Sequence, residues 1–154
     1  MNSSGHYENA KGGKIVPEAS REQIEAIVVD LLNSRSVNYY ERKNNRIALY
    51  FCEYKGIHFN IKITNHYHVE TWTYSDNPVA PEMRLFVLET LNAYQASNRE
   101  IQAYIDEDDR IIFRRSFSCL EGASISGQII STNMEIFFKN TIHHKYPRSK
   151  FAQG

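Results

Sequence analysis

Cysteine is scarce in this chain of 154 residues, which contains Cys52 and Cys119 and no other. The two are far apart and form no CxxC pair, a pattern typical of two ordinary reduced thiols in an intracellular protein. Long apolar runs are also missing. The longest cluster, Ala26–Val29 with Leu31 and Leu32, is interrupted by Asp30 and falls far short of the about 20 residues that span a bilayer. We therefore expect no disulfide framework and no membrane partner.

An excess of charge of either sign is absent as well. Lys and Arg number 18, Asp and Glu number 18, and the formal net charge is +0. No overall field draws such a protein to nucleic acid, so we expect no nucleic-acid partner. Residues 1–16 contain no apolar segment like that of a secretory signal, so we expect a cytoplasmic protein.

Recognisable catalytic motifs are missing too. No GxGxxG, Walker loop, GxSxG or HExxH occurs, and the glycine pair Gly12-Gly13 precedes no strand-helix unit that could hold a phosphate. The acidic run Asp106–Asp109 lacks the spacing of a calcium loop, since Arg110 stands where a third ligand belongs. We expect no cofactor and no enzyme activity.

What the chain does contain is the pattern of one compact domain. Hydrophobic residues make up 42%, with 10 Tyr and 8 Phe, and many aromatics alternate with polar residues as in half-buried strands. We predict a single domain over 18–146, between a flexible lead-in at 1–17 and a flexible tail at 147–154.

Helical and strand periods alternate along this domain. Ser20 and Gln23 have capping-box spacing before a helix that ends near Ser34. Three or four strands follow, and Ile57 to Ile63 is the clearest case of apolar residues at every second position. Turns are predicted at Lys43–Asn45 and at Lys55–Gly56.

A second helix, a hairpin and a third helix complete the predicted order. Pro81 suits the first turn of helix two, the acidic run forms the hairpin turn, and Pro147 ends helix three. The fold class is therefore α+β, an antiparallel sheet with helices packed on it, in the order α-β-β-β(-β)-α-β-β-α. The predicted inner stripe of helix two is Leu85, Phe86, Leu88, Leu91 and Tyr94, and that of helix three is Ile125, Ile129, Ile136 and Phe137.

Several segments carry a resemblance to a known family. They are Val29–Leu32 in helix one, Leu91–Asn98 at the end of helix two, and Ala103–Asp106 leading through the acidic turn into Ile111–Phe113. Over about residues 20–146 the chain resembles the YbjN-type family of bacterial proteins, described as sensory-transduction regulators. The resemblance implies a fold like that of type III secretion chaperones and implies no catalytic residues. Asn98 is expected to end helix two through its own backbone contacts.

Two histidines suggest a metal site as one alternative. His66 and His68 are two apart on a predicted strand, so both can project from one face and chelate zinc. Further ligands would have to come from Cys52, Glu70 or the pair His143-His144. Exposed strand histidines are the simpler interpretation.

Two other kinds of site are weaker. Neither cysteine lies in a context that would activate it as a nucleophile, such as a helix N-terminus. A small basic and aromatic surface for single-stranded nucleic acid is conceivable, although charged hairpin tips usually serve solubility. Its members would be Tyr39, Tyr40, Arg42, Lys43, Arg46, Arg114 and Arg115.

Two groups of residues are candidates for a protein interface. If Val69 and the threonines of the fourth strand face the core, His68, Trp72 and Tyr74 lie outside, where exposed aromatics often mark interfaces. On helix three, residues off the predicted inner stripe are either covered by the domain itself or form a dimer surface. These are Met134, Phe138 and Ile142.

The sequence thus favours a non-enzymatic cytoplasmic module that binds other proteins, with a homodimer as one form. One alternative is a peptide binder like a secretion chaperone. Another is a small metal-dependent enzyme using His66 and His68.

Overall fold

A computed structural model describes residues 21–65, 67–119 and 123–142, so the predicted lead-in and tail lie outside the described residues. The predicted order of elements is confirmed, with four strands before helix two. The elements are α1 (Arg21–Ser34), β1 (Asn38–Lys43), β2 (Ile47–Tyr54), β3 (Ile57–Thr64), β4 (His68–Tyr74), a 3-10 turn (Pro81–Met83) leading into α2 (Arg84–Ser97), β5 (Gln102–Ile105), β6 (Ile111–Ser118), and α3 (Ala123–Phe137) followed by a π-helical turn (Phe138–Ile142).

The strands form one six-stranded sheet in the order β1-β2-β3-β4-β6-β5, and every pair is antiparallel. β1 to β4 follow one another as a meander because short turns connect them. Lys55 and Gly56 both adopt positive φ, 52° and 83°, as the tight turn between β2 and β3 requires. The Asn44 side chain caps the preceding turn by accepting the backbone N–H groups of Arg46 and Ile47.

Described helices pack on one face of this sheet, which we call the covered face. Phe59 of β3 contacts the rings of Phe137 and Phe138, with centroids 5.9 and 5.5 Å apart. Tyr94 of α2 meets Phe113 of β6 edge to face at 5.6 Å. These aromatic contacts join the sheet to α3 and α2, and the core lies between the two layers.

The alternation predicted for β3 is confirmed, since Phe59, Ile61 and Ile63 are fully buried on the covered face. On β4, Thr71 and Thr73 are fully buried, as is Val69. Thr73 donates its hydroxyl to the carbonyl of His58. Two of the three inward-facing residues of β4 are therefore polar, which explains why the sequence pattern did not identify the buried face.

The predicted inner stripe of α2 is wrong in part. Val87 and Leu91 are the buried residues, and Tyr94 packs against the core, but Leu85, Phe86 and Leu88 point away from the sheet and are 69, 52 and 37% exposed. The helix is apolar around most of its circumference at this end. Its rotation is consequently set by the contact with β5 and β6 rather than by its own pattern.

The inner face of α3 is also displaced from the predicted stripe. Its fully buried residues are Ile130, Met134 and Phe137, and Phe138 is nearly so, whereas Ile129 and Ile136 are half-buried. The side chain of Ile125 lies outside the described part of the chain. The offset arises because α3 packs against α1 and β6 together, so residues on two adjoining sides are covered.

The end of α2 and the hairpin turn are held by side chains of their own. Asn98 caps α2 with an extended backbone, φ −134°, and its amide donates to the Tyr94 hydroxyl and to Asn140. Asp106 accepts the N–H groups of Asp108 and Arg110, as in an Asx turn. The hairpin turn is a local structural device, and the α2 cap combines a local contact with the long-range one to Asn140.

Candidate functional site: the open face of the sheet

The side of the sheet opposite the helices carries a second, partly exposed set of side chains. We call this side the open face, since none of the described helices packs on it. Its side chains alternate with the buried ones along each strand. Its main members are Tyr40, Arg42, Leu49, Phe51, Glu53, His58, Asn60, Lys62, His68, Glu70, Trp72, Tyr74, Tyr104, Ile112 and Arg114.

One row of this face crosses all six strands, and we call it the central row. The antiparallel register aligns it as Tyr40, Phe51, Asn60, Trp72, Arg114 and Gln102. The rings of Tyr40 and Phe51 stack at 5.0 Å with an interplanar angle of 19°. Trp72, the only tryptophan of the chain, stands half-buried at the middle of the sheet.

The next row along the strands is basic, and we call it the basic row. It runs through Arg42, Leu49, Lys62, Glu70 and Ser116. Glu70 lies 3.9 Å from the Lys62 ammonium and 3.8 Å from the guanidinium of Arg114 in the central row. These distances exceed that of a direct hydrogen bond, so the Glu70 carboxylate interacts with both cations electrostatically and is hydrogen-bonded to neither.

Arg114 is the best-oriented cation of the face. Its guanidinium donates twice to the side-chain carbonyl of Gln102, at 3.2 and 2.8 Å, and lies over the ring of Tyr104 at 5.7 Å. The hydrogen bonds and the cation–π contact together hold the guanidinium beside Trp72, the strand partner of Arg114. Because Nε and Nη2 already donate to Gln102, Nη1, which lies 3.8 Å from Glu70, is the group that can donate to a carboxylate.

On the opposite side of the central row lies a shallow depression of about 400 Å³, lined by Asn38, Phe51, Glu53, His58 and Tyr74, among others. Glu53 accepts the Gly56 N–H and the amide of Asn38. These hydrogen bonds, with the Gly56 N–H the stronger, lower the pKa of the Glu53 carboxyl. The negative charge of Glu53 thus stabilises the β2–β3 turn through its hydrogen bond with Gly56.

The β4 candidates lie on this face. His68, Trp72 and Tyr74 are half-buried there, while the intervening Val69, Thr71 and Thr73 lie in the core. His68 contacts the Ser118 hydroxyl at 3.4 Å and lies 3.9 Å from Glu70. The arrangement supplies the geometry that the interface hypothesis requires, and the role itself stays a prediction.

The α3 candidates are placed differently. Met134 is fully buried and Phe138 is 2% exposed, in contact with Phe59 and Phe137. Neither side chain can reach a partner in this conformation, because each is part of the domain's own core. The side chain of Ile142 lies outside the described residues.

The basic and aromatic residues named from the sequence do not form one surface. Lys43 turns toward α1, where its ammonium pairs with Glu25 at 2.8 Å. Arg115 points into the covered side, donating to Asn133 and to the Glu100 carbonyl, and burial lowers the pKa of its guanidinium. Arg42 and Arg114 remain on the open face.

The described geometry supports neither the metal-site candidates nor the cysteine nucleophiles. The part of the chain that the structure describes brings together no group of three or more His, Cys, Asp or Glu, and His66 and His143-His144 fall outside it. Both cysteines are buried, and burial raises the pKa of Cys52 to about 12 and of Cys119 to about 11. A thiol that keeps its proton at neutral pH is a poor nucleophile.

Sequence reasoning missed Phe51 and Lys62 as members of this face, and it named Arg114 for a basic and aromatic surface without placing it beside Trp72. The sequence of β2 could have indicated Phe51, because apolar residues occupy both faces of this strand. Ile47, Leu49 and Phe51 lie on one face, and Ala48, Tyr50 and Cys52 lie on the other. Apolar residues on both phases indicate a strand whose second face also carries apolar surface.

No described helix is long and apolar enough to cross a membrane. The sequence matches no protein-family model, and comparison with curated proteins and with solved structures returned no significant match.

Proposed function

We propose that this chain is a non-enzymatic protein-binding module and that the open face around Trp72 is its binding surface. The observation that carries the proposal is the one-sided covering of the sheet by the described helices, which leaves Trp72 and the stacked Tyr40 and Phe51 beside charged and amide side chains. Aromatic side chains framed by polar groups are typical of protein interfaces. His68 and Tyr74 would contribute contacts next to Trp72.

The proposal includes the YbjN-like assignment and a fold like that of the type III secretion chaperones. The observed order of elements supports this, as does an antiparallel sheet with helices on one face. Binding an extended peptide is the form of the function that an open sheet face suits best, because aligned rows of side chains can contact successive residues of one strand. A cytoplasmic setting agrees with two cysteines that remain unpaired.

Self-association is a second part of the proposal, and the outer face of α2 is its best-supported surface. Large apolar residues occupy the first half of this face, Leu85 and Leu88, and small exposed ones the second half, Ala93 and Ala96. If two copies align α2 antiparallel about a twofold axis, each leucine lies against an alanine of the second copy.

The same alignment also pairs charges. It places the exposed Glu82, just before α2, opposite the exposed Arg99 that follows the helix in the second copy. A contact of two short helices is at the small end of interfaces, so we expect a weak dimer whose population depends on concentration.

Capture from cell extract tests the binding surface. Immobilised wild-type protein, Trp72→Ser and Phe86→Ser are compared by mass spectrometry, with Phe86 as the matched exposed aromatic outside the open face. We expect proteins that wild type and Phe86→Ser retain and that Trp72→Ser loses. If the wild type and both variants captured the same proteins, the proposal would be wrong.

Light scattering over a range of concentrations tests self-association. We expect a dimer fraction that Leu85→Lys abolishes and Trp72→Ser leaves unchanged. A dimer that Trp72→Ser breaks instead would move the self-association surface to the open face, and a monomer at all concentrations would end the dimer proposal.

A further inference from the structure

The charges of the open face are unevenly distributed. The central and basic rows together hold three cations, Arg42, Lys62 and Arg114, and one carboxylate, Glu70, which leaves an excess of two positive charges. The row on the far side of the central row contains Glu53 as its charged residue. This asymmetry is local, since the whole chain has a formal net charge of +0.

We infer that the open face binds an extended acidic peptide, with apolar side chains of the peptide against Trp72 and the Phe51–Tyr40 stack and its carboxylates toward the basic row. The inference rests on the proposed function. Arg114 is positioned for a carboxylate beside Trp72, because its contacts with Gln102 and Tyr104 fix the plane of its guanidinium. Lys62, on the other side of Glu70, offers a second cation.

The dimensions fit a short peptide. The central row crosses five interstrand spacings of about 4.8 Å, or roughly 24 Å. An extended chain rises about 3.3 Å per residue, so about seven residues cover the row. Successive side chains of such a peptide point to alternate sides, so a mixture of acidic and apolar residues can satisfy the two rows together.

Single-stranded nucleic acid also combines negative charge with stacking, but it fits less well. It carries a charge at every nucleotide and draws much of its affinity from neutralising phosphates. Here the cations lie in the basic row and the central row, whereas Glu53 lies in the row on the far side of the central row. A polyanion covering the whole face would therefore meet a carboxylate where it needs a cation.

Selection from a random-peptide display library tests the inference. The baits are the wild type, Lys62→Glu/Arg114→Glu, Trp72→Ser and, as the control outside the open face, Phe86→Ser. Circular dichroism and urea midpoints verify that each bait folds, and Lys62→Glu alone replaces the double variant if Arg114→Glu fails. We expect Asp and Glu to be enriched several-fold over the input library on wild type and Phe86→Ser, and not on the charge-reversed bait.

Selected peptides are then titrated while the emission of Trp72 is recorded, since the single tryptophan reports directly on the central row. We expect a saturable change and an affinity about tenfold lower for the charge-reversed variant. Binding should also weaken in 0.5 M salt, which shortens the Debye length to about 5 Å or less and so screens attraction between exposed charges. Oligothymidylate is the comparison ligand.

The outcomes separate the two proposals. Peptides that require Trp72 but show no acidic enrichment would overturn this inference and leave the proposed function standing. A library that yields no peptide dependent on Trp72 would overturn both. Oligothymidylate that changes the Trp72 emission at lower concentration than every selected peptide would overturn the inference in favour of nucleic acid.

Discussion

Phe59 on the covered face and Phe51 on the open face belong to neighbouring strands and have different surroundings. Phe59 is fully buried between Phe137 and Phe138, whereas Phe51 is half-buried and stacks on Tyr40 of the edge strand β1. The same residue type is thus part of the core on one face and partly exposed on the other. One aromatic set stabilises the core, and the other stays partly exposed, so aromatic content alone does not indicate burial.

The sharpest test of this difference is to remove one aromatic from each face. Phe59→Ala should lower the free energy of unfolding by about 4 kcal/mol, because it leaves a cavity against two helix aromatics. Trp72→Ala should cost less, about 2 kcal/mol, since Trp72 is only partly buried and no helix aromatic packs on it among the described residues. Urea unfolding followed by circular dichroism measures both, and equal losses would erase the distinction between the faces.

One carboxylate from each face allows the same comparison, with smaller expected changes in the free energy of unfolding. Glu25 is 5% exposed at the covered side, where it bonds Arg21 and Lys43, each at 2.8 Å. Glu25→Ala should cost about 2 kcal/mol, since it removes the buried carboxylate that both cations share. The hydrogen bond and charge of Glu25 raise the pKa of Lys43, so this contribution is present at neutral pH and is lost above the folded-state value.

Glu70→Ala on the open face is the control for Glu25. Its cations lie near 3.9 Å in partly exposed positions, so we expect a change below about 0.5 kcal/mol. Urea midpoints at pH 7 decide the comparison. A loss at Glu70 as large as that at Glu25 would contradict it.

The thiols predict how stability depends on pH. Burial raises the pKa of Cys52 to about 12 and of Cys119 to about 11, against about 8.5 for an unfolded cysteine. Because the folded state holds these protons more tightly, the thiols stabilise the fold fully below about pH 8.5, and that stabilisation is lost as the pH rises toward 11 and 12.

We expect the wild type to lose roughly 1 kcal/mol more than Cys52→Ala/Cys119→Ala between pH 8 and 9. Urea unfolding of both proteins across this range measures the difference. The wild-type thiols should also react with a thiol reagent about a hundredfold more slowly in the folded protein than in urea. Rapid labelling of the folded protein would show that the covered side opens readily.

The last comparison concerns the stacked rings of the open face. A double-mutant cycle of Tyr40→Ala and Phe51→Ala should give a coupling of about 0.5 to 1 kcal/mol for their stacked rings. The same cycle on Phe59 and Phe138 should give a larger coupling, since both rings are in the core. A zero value for Tyr40 and Phe51 would mean that the stack does not persist in solution.

Much of the fold was predictable because it is encoded locally. The alternation of β3, the turn at Lys55–Gly56 and the cap at Asn98 depend on neighbours within a few residues. The α2 stripe was not predictable, because Leu85 and Val87 are equally apolar and the contact with the sheet selects between them. Arg114 could be named from the sequence as a surface cation, but its place beside Trp72 was hidden, since it follows from the pairing of β4 with β6, in which Trp72 and Arg114 are 42 residues apart.

By itself, the sequence determined the α+β class, the order of the elements and the period of each strand, because periodicity and turn chemistry are properties of short segments. The tertiary structure alone decided which phase of β2 and β4 is buried, how α2 and α3 are rotated, and that the aromatic row of Trp72 lies beside the cations of β3 and β6. Those choices depend on which surfaces meet across the domain, and a local pattern with apolar residues on more than one side cannot specify them.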